Sequence, residues 1–263
     1  MNNLQSTTHW LTTFRKMSRV ILVTGASRGI GKGLVTHYLA QPNTTLIATV
    51  RDTTSPKAQD LNSLPRGPGS RLIIIKLSAD SPTDATEAAS TLRTQRGITH
   101  IDIAIACAGI CDHWGPMSEV SDADVLLHFE VNALGPLRLF RAVAPLLKES
   151  AKPKFVFIST LLASIGGIGV MDTLTGPYGM SKAAGNYMVR KIHDENPHLA
   201  TLCVDPGLVQ TDLGDRAAQA YGLEKAPVTL DESVSGITAQ IEKLEKSTTS
   251  GSFVNTSGKT NAW

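Results

Sequence analysis

The segment TGPYGMSK, residues 175–182, sets a tyrosine and a lysine four positions apart among small residues. On a helix, four residues turn the chain by about 400°, so Tyr178 and Lys182 would share one face. Free tyrosine has a pKa of about 10 and is a sluggish base near neutrality. A neighbouring ammonium in a desolvated cleft favours the phenolate. Lowering the pKa by about 3 units takes roughly 4 kcal/mol of differential stabilisation. The spacing therefore predicts a proton-transfer pair in which Lys182 keeps Tyr178 acidic. The plainer alternative, a tyrosine covering surface beside a solvated lysine, has to be decided by the rest of the chain.

A second chemistry-bearing stretch is TGASRGIG, Thr24 to Gly31, with glycines at 25, 29 and 31. A glycine-rich turn from a strand into a helix lets backbone N–H groups approach a pyrophosphate, and the helix N-terminus favours its charge. The stretch follows an apolar run and precedes an amphipathic one, the context of a dinucleotide site. The next apolar run ends ATVRD. An acid at this place serves ribose hydroxyls, whereas an arginine accommodates a 2′-phosphate. Arg51 here and Arg28 in the glycine loop can form planar forks on a phosphate dianion. This favours NADP(H) over NAD(H), with Asp52 as the competing ribose ligand.

The elements that would carry these residues follow from the pattern of apolar runs. Runs at 19–25, 44–50, 71–77, 101–107, 154–160 and 199–205, and a weaker one at 250–256, are apolar throughout rather than alternating. That is the signature of strands buried on both faces. Helical spacing lies between them at about 29–41, 82–96, 121–149, 176–196 and 231–245, with Ser81 and Pro82 opening the second helix. Strand–helix alternation predicts an α/β doubly wound sheet. The chain of 263 residues is 41% hydrophobic, enough for one sizeable core. A formal net charge of +2 without a charge run argues against a nucleic-acid or membrane-surface partner. No apolar run nears the roughly 20 residues that span a bilayer. Three cysteines without CxxC spacing predict a reducing, cytoplasmic compartment, no disulfide scaffold and no metal site. Residues 1–17 read as a disordered extension, or as upstream of a start at Met17, rather than as part of the fold.

Taken in order, TGASRGIG, CAG (107–109), VNALGP (131–136), YGMSK (178–182) and DPGLVQTDLG (205–214) resemble the short-chain dehydrogenase/reductase superfamily over about residues 18–263. The ending GSFVNTSGKTNAW is similar to a carbonyl-reductase-like branch that includes fungal ketoreductases of aromatic polyketide pathways, within secondary metabolite biosynthesis. The resemblance implies one Rossmann-type domain over 18–263, with a parallel sheet of about seven strands and helices on both faces. It also implies an NADP-dependent oxidoreductase. Tyr178 would be the general acid/base, Lys182 its partner on the cofactor ribose, and Asn132 the holder of a water linking Lys182 to solvent. Gly25, Ser27, Arg28, Gly29 and Gly31 would surround the cofactor phosphates, with Ile30 against the cofactor. Ala108 and Gly109 would follow the fourth strand. Pro206, Gly207, Val209 and Thr211 would face the nicotinamide side.

Three departures from the family pattern stand out. The serine that ends the fifth strand is replaced by FISTLLASIGG, where Thr160 takes the place by register, 18 residues before Tyr178. Ser164 and Ser159 remain competitors for the hydroxyl role. Cys107 replaces an asparagine that ties the central sheet to the adenine ribose. Ser78 stands where an aspartate reads the adenine, so either Asp80 takes that role through a shifted loop or the adenine is held more loosely. The substrate side should come from 110–118, 163–177 and 208–228. Its apolar residues, among them Trp114, Met117, Ile165 and Leu174, then Val170 and Met171, then Leu208, Leu213 and Tyr221, suit a bulky hydrophobic or aromatic ketone. His113 and Asp172 are its polar groups to watch. A repurposed family enzyme and a non-catalytic dinucleotide-binding regulator are the competing functions. A homodimer or homotetramer through the third and fourth helices is expected, with Ala183, Ala184 and Gly185 either at that interface or against the sheet.

Overall fold

The computed structural model describes residues 18–169 and 174–263. The expectation for residues 1–17, and the expected roles of Val170, Met171 and Asp172, lie outside the described residues.

Seven strands form one parallel sheet in the order β3-β2-β1-β4-β5-β6-β7. They are β1 (Arg19–Val23), β2 (Thr44–Val50), β3 (Arg71–Lys76), β4 (Ile103–Ala106), β5 (Lys154–Ile158), β6 (Ala200–Asp205) and β7 (Ser252–Asn255). Each lies within its predicted run. Every residue of β2 is buried, which explains why that run shows no alternation. Alternate residues of β1 go to opposite layers. Ile21 and Val23 join one core with Leu34, Val35, Ile237 and Ile241, whereas Val20 and Leu22 join the other with Leu92, Leu139, Val143 and Val189.

Helices α1 (Gly29–Leu39) and α8 (Leu230–Lys243) cover the first face. Helices α3 (Asp84–Arg96), α5 (Gly135–Lys148) and α6 (Gly176–Glu195) cover the second. The predicted helix at 121–149 is α4 (Asp122–Phe129) continuing into α5 through a π-helical turn, Glu130–Leu134. The helix expected from Pro82 starts later, at Asp84. Ser81 bonds Asp84 instead, accepting from its backbone N–H at 3.1 Å and donating to its carboxylate at 2.7 Å. Two short helices were not foreseen: α2 (Pro56–Gln59) and α7 (Asp212–Ala220). The first is a single turn, and the second, DLGDRAAQA, buries only the small residues Gly214, Ala217 and Ala218. Among the described residues no helix is long and apolar enough to cross a membrane.

Gly185 faces the sheet rather than a neighbouring molecule. A Cβ there would lie 2.4 Å from Phe157 Cζ on β5, so α6 packs at glycine distance. This closeness sets how far α6 side chains reach over the end of β5. Gly185→Val should cost about 2 kcal/mol of folding stability by overpacking, read as a lower urea midpoint at unchanged slope. An unchanged midpoint would mean that α6 can ride further from the sheet.

Candidate active site

The cleft opens where the strand order reverses, outside the carboxyl ends of β1 and β4, as the doubly wound topology dictates. It holds about 1020 Å³ and runs from Arg51 past the glycine loop to Tyr178, Lys182 and Tyr221. Gly25, Ser27, Arg28, Gly29, Ile30 and Gly31 all line it. Gly25 has φ +65°, and a Cβ on it would sit 2.9 Å from Ala108 Cα. A Cβ on Gly31 would lie 2.2 Å from Gly25 O. The loop can thus carry no side chains at these points, and a phosphate can meet bare backbone at the start of α1.

The turn after β4 is fastened from β1. Thr24 Oγ1 accepts from Cys107 N at 2.9 Å and from Ala108 N at 3.0 Å. A threonine hydroxyl thus holds the backbone of positions 107 and 108 whatever side chain stands at 107. Cys107, Ala108 and Gly109 line the cleft, and burial pushes the Cys107 thiol up to about 12. Thr24 was not singled out in the sequence, because a threonine before a glycine loop is unremarkable in type. Asp80 and Ser78 both line the cleft, and Asp80 accepts a hydrogen bond from Ser78. Pro206, Gly207, Val209 and Thr211 line the opposite wall. Ser233 on α8 holds that turn by donating to Pro206 O at 2.9 Å.

At the inner end, Lys182 is buried, and its Nζ donates to Ile158 O at the end of β5 at 2.8 Å. It lies 4.6 Å from the Phe157 ring centroid and 5.8 Å from that of Tyr178. Burial lowers its pKa to about 8, against smaller opposing contributions from Cys107, Cys111 and Cys203. Asn132 sits in the π turn, fully buried. Its Oδ1 accepts from Ile110 N at 2.9 Å, and its Nδ2 donates to Ile110 O at 2.9 Å and to Ser181 Oγ at 3.0 Å. Both amide hydrogens are spent. The side chain thereby clamps the loop after β4 onto α6. Gly109 fits between the two, since a Cβ there would meet Asn132 Oδ1 at 3.1 Å and Lys182 Nζ at 3.3 Å.

Tyr178 lines the cleft beside Lys182. Burial raises its pKa first, with Cys111 and Asp205 adding to the rise, while a hydrogen bond with Thr160 draws it down. The Lys182 ammonium is turned to Ile158 O. The phenol is held protonated, the state an acid requires. The Thr160 hydroxyl lies beside it, lines the cleft and accepts from Leu162 N at 3.3 Å, leaving its own hydrogen to donate. Ser164 is not brought to the cleft. It is buried behind the 3₁₀ turn Leu161–Ala163, and its Oγ has no hydrogen-bond partner among the described residues. Ser159 donates to Asn186 Oδ1 at 2.6 Å. Asp205 went unnoticed inside its motif; it ends β6, lines the cleft, and burial raises its pKa.

The substrate-side expectation holds in part. Leu208, Leu213 and Tyr221 line the cleft, joined by Ile110, Cys111 and Ala217. Ile165, Met117 and Leu174 point outward, at 72%, 58% and 51% exposure. The 3₁₀ turn instead sends Leu161 and Leu162 inward. Trp114 packs against Arg216 at 5.9 Å, and His113 lies 3.4 Å from Asp124, so neither is a lining residue.

The short chain dehydrogenase family profile matches residues 19–222. Norsolorinic acid ketoreductase of Aspergillus parasiticus is 43% identical over 251 residues, 93% of this chain and 91% of that protein. Norsolorinic acid ketoreductase nor1 of Dothistroma septosporum is 44% identical over 239 residues, 89% of this chain and 88% of that one. Among solved structures, NADPH-bound carbonyl reductase from chicken fatty liver superposes with a TM-score of 0.81 at 30% identity, covering 94% of this chain and all (100%) of that one.

An ammonium buried without a carboxylate partner costs stability. With a folded pKa of about 8, below the unfolded value, that cost is complete below pH 8. It fades as pH rises towards the unfolded lysine value of about 10.4. Lys182→Met should therefore be the more stable protein at pH 7, by about 1 kcal/mol, and the gap should close by pH 10. Urea titrations at both pH values check this, and a gap that does not shrink would contradict it.

Proposed function

The chain belongs to the short-chain dehydrogenase family, and from that membership and the cleft's geometry we propose that it is an NADPH-dependent ketoreductase of a hydrophobic aromatic ketone. The observation that carries the proposal is the convergence of the Thr160 hydroxyl and the protonated Tyr178 phenol beside buried Lys182, under an apolar wall. The glycine cradle, the two arginines and the NADPH named for the chicken reductase support the cofactor. Asp52 is a poor rival as ribose ligand, because Thr54 N and Thr54 Oγ1 both donate to its carboxylate, at 2.8 and 2.7 Å.

When bound, NADPH supplies the hydride that the carbonyl carbon accepts. The chain's own groups handle the oxygen. Thr160 donates a hydrogen bond to it and fixes the carbonyl's tilt. Tyr178 gives its proton as negative charge develops there. Burial that raises Tyr178 suits reduction, where the phenol must start protonated. Lys182 would hold the cofactor ribose, and Asn132 holds the floor by tying Ile110 to Ser181. Leu161, Leu162, Leu208 and Leu213 exclude water and accept a flat apolar body. The aromatic-polyketide reductases among the relatives support secondary metabolism as the setting. Free Cys107, Cys111 and Cys203 suit a reducing cytoplasm. The exposed apolar residues Leu126 and Leu127 on α4 and Tyr187 on α6, at 69%, 47% and 73%, support pairing of two copies there.

NADPH oxidation with a panel of aromatic ketones tests the reading. Tyr178→Phe should abolish turnover and leave NADPH affinity within about twofold. Thr160→Val should lower kcat by about 100-fold, the typical loss of one oxyanion donor, whereas Ser164→Ala should retain at least about half the activity. Full activity in Thr160→Val together with loss in Ser164→Ala would reverse the hydroxyl assignment. NADPH binding without consumption of any carbonyl would favour the non-catalytic regulator.

A further inference from the structure

Arg28, Arg51 and Lys57 all line the end of the cleft nearest β2. Asp212, the first residue of α7, reaches across to two of them. Its Oδ2 is 3.0 Å from Arg28 in the glycine loop and 3.5 Å from Lys57 Nζ on α2. One carboxylate oxygen thus sits between cations from two separate elements, at the mouth of a cleft shaped for a phosphorylated ligand. The two cations draw the carboxyl's pKa down, so Asp212 is an anion at neutral pH.

The arrangement is held loosely. The side chains of Arg28, Lys57 and Asp212 are 49%, 62% and 61% exposed, where an ion pair is worth little and exchanges easily. A phosphate monoester carries nearly two charges and three acceptor oxygens against one charge and two oxygens. Presented to the same cations, it outcompetes the carboxylate. Lys57 has no other ion pair among the described residues. Its reach to the oxygen that Arg28 holds makes it a third cation for that phosphate.

We propose that Lys57 is a ligand of the cofactor's 2′-phosphate, and that Asp212 is an intramolecular stand-in which this phosphate displaces. Lys57 then adds to the discrimination between NADPH and NADH, and Asp212 subtracts from it. The proposal rests on the NADPH reading above. A different role for the same contacts, Asp212 as a strap closed over any bound dinucleotide, predicts the opposite sign for its removal.

Equilibrium titration of the full chain with NADPH and with NADH, followed by protein fluorescence at low ionic strength, separates these. Lys57→Ala should weaken NADPH by about 10-fold, the worth of one charge-assisted hydrogen bond, and NADH by less than about twofold. Lys57→Arg should restore most of the loss. Asp212→Asn should tighten NADPH by about threefold, as expected for loss of a weak exposed competitor, and leave NADH unchanged. Equal weakening of both cofactors by Lys57→Ala, or no weakening of either, overturns the assignment of Lys57. Weaker NADPH binding by Asp212→Asn overturns the stand-in. Wild type binding both cofactors equally, with Arg51→Ala changing neither, removes the NADPH reading itself. Wild-type preference for NADPH that Arg51→Ala abolishes keeps that reading whatever the other two variants do.

Discussion

The Lys182 ammonium lies buried at the end of β5, 2.8 Å from the Ile158 carbonyl, with no carboxylate beside it among the described residues. Little else in the cleft can move without disturbing it. The Phe157 ring at 4.6 Å and one carbonyl offset part of the desolvation. Phe157 is also the residue against which Gly185 brings α6 to the sheet. The face of α6 that carries Tyr178 and Lys182 is set by that contact, and so is the meeting of Tyr178 with Thr160. From the other side, Gly109 lacks a Cβ where one would crowd both Lys182 and Asn132. A charge held at a folding cost is the kind of feature that function, not stability, retains.

The groups around that charge come from several strand ends, each delivered by a different local device. Thr24, directly after β1, fastens the turn after β4 through two backbone N–H groups. The π turn lets Asn132 reach Ile110 and Ser181 at once. The 3₁₀ turn after β5 presents Thr160, Leu161 and Leu162 to the cleft and hides Ser164. Ser233 on α8 steadies the turn after β6. The parallel sheet supplies the common edge on which these ends meet, and the chemistry is assembled in the turns.

The sheet was legible because strands buried on both faces leave unbroken apolar runs, and the glycine loop because close backbone approach forbids side chains there. Tyr178 and Lys182 were legible because helical spacing alone aligns them. What escaped the sequence depends on direction or on distance through space. Ile165, Leu174 and Met117 are apolar yet exposed, while Leu161 and Leu162 of a 3₁₀ turn line the cleft. The rise in the Tyr178 pKa comes first from burial, which no spacing reveals. Asp212 and Lys57 are 155 positions apart in sequence, and only the packing of α7 over the glycine loop brings them to one oxygen. Strand register favours Thr160, and of the two hydroxyls it is Thr160 that lines the cleft while Ser164 is buried away from it.

The central claim is that this cleft moves hydride from a reduced nicotinamide to a ketone carbon while Tyr178 protonates the oxygen. Incubating the protein with NADPH deuterated at nicotinamide C4 and a polycyclic aromatic ketone, then locating the label by mass spectrometry and NMR, tests it most directly. The account predicts an alcohol carrying one deuterium on the former carbonyl carbon. Formation of the alcohol without label on that carbon, or labelled product formed equally well by Tyr178→Phe, would contradict it.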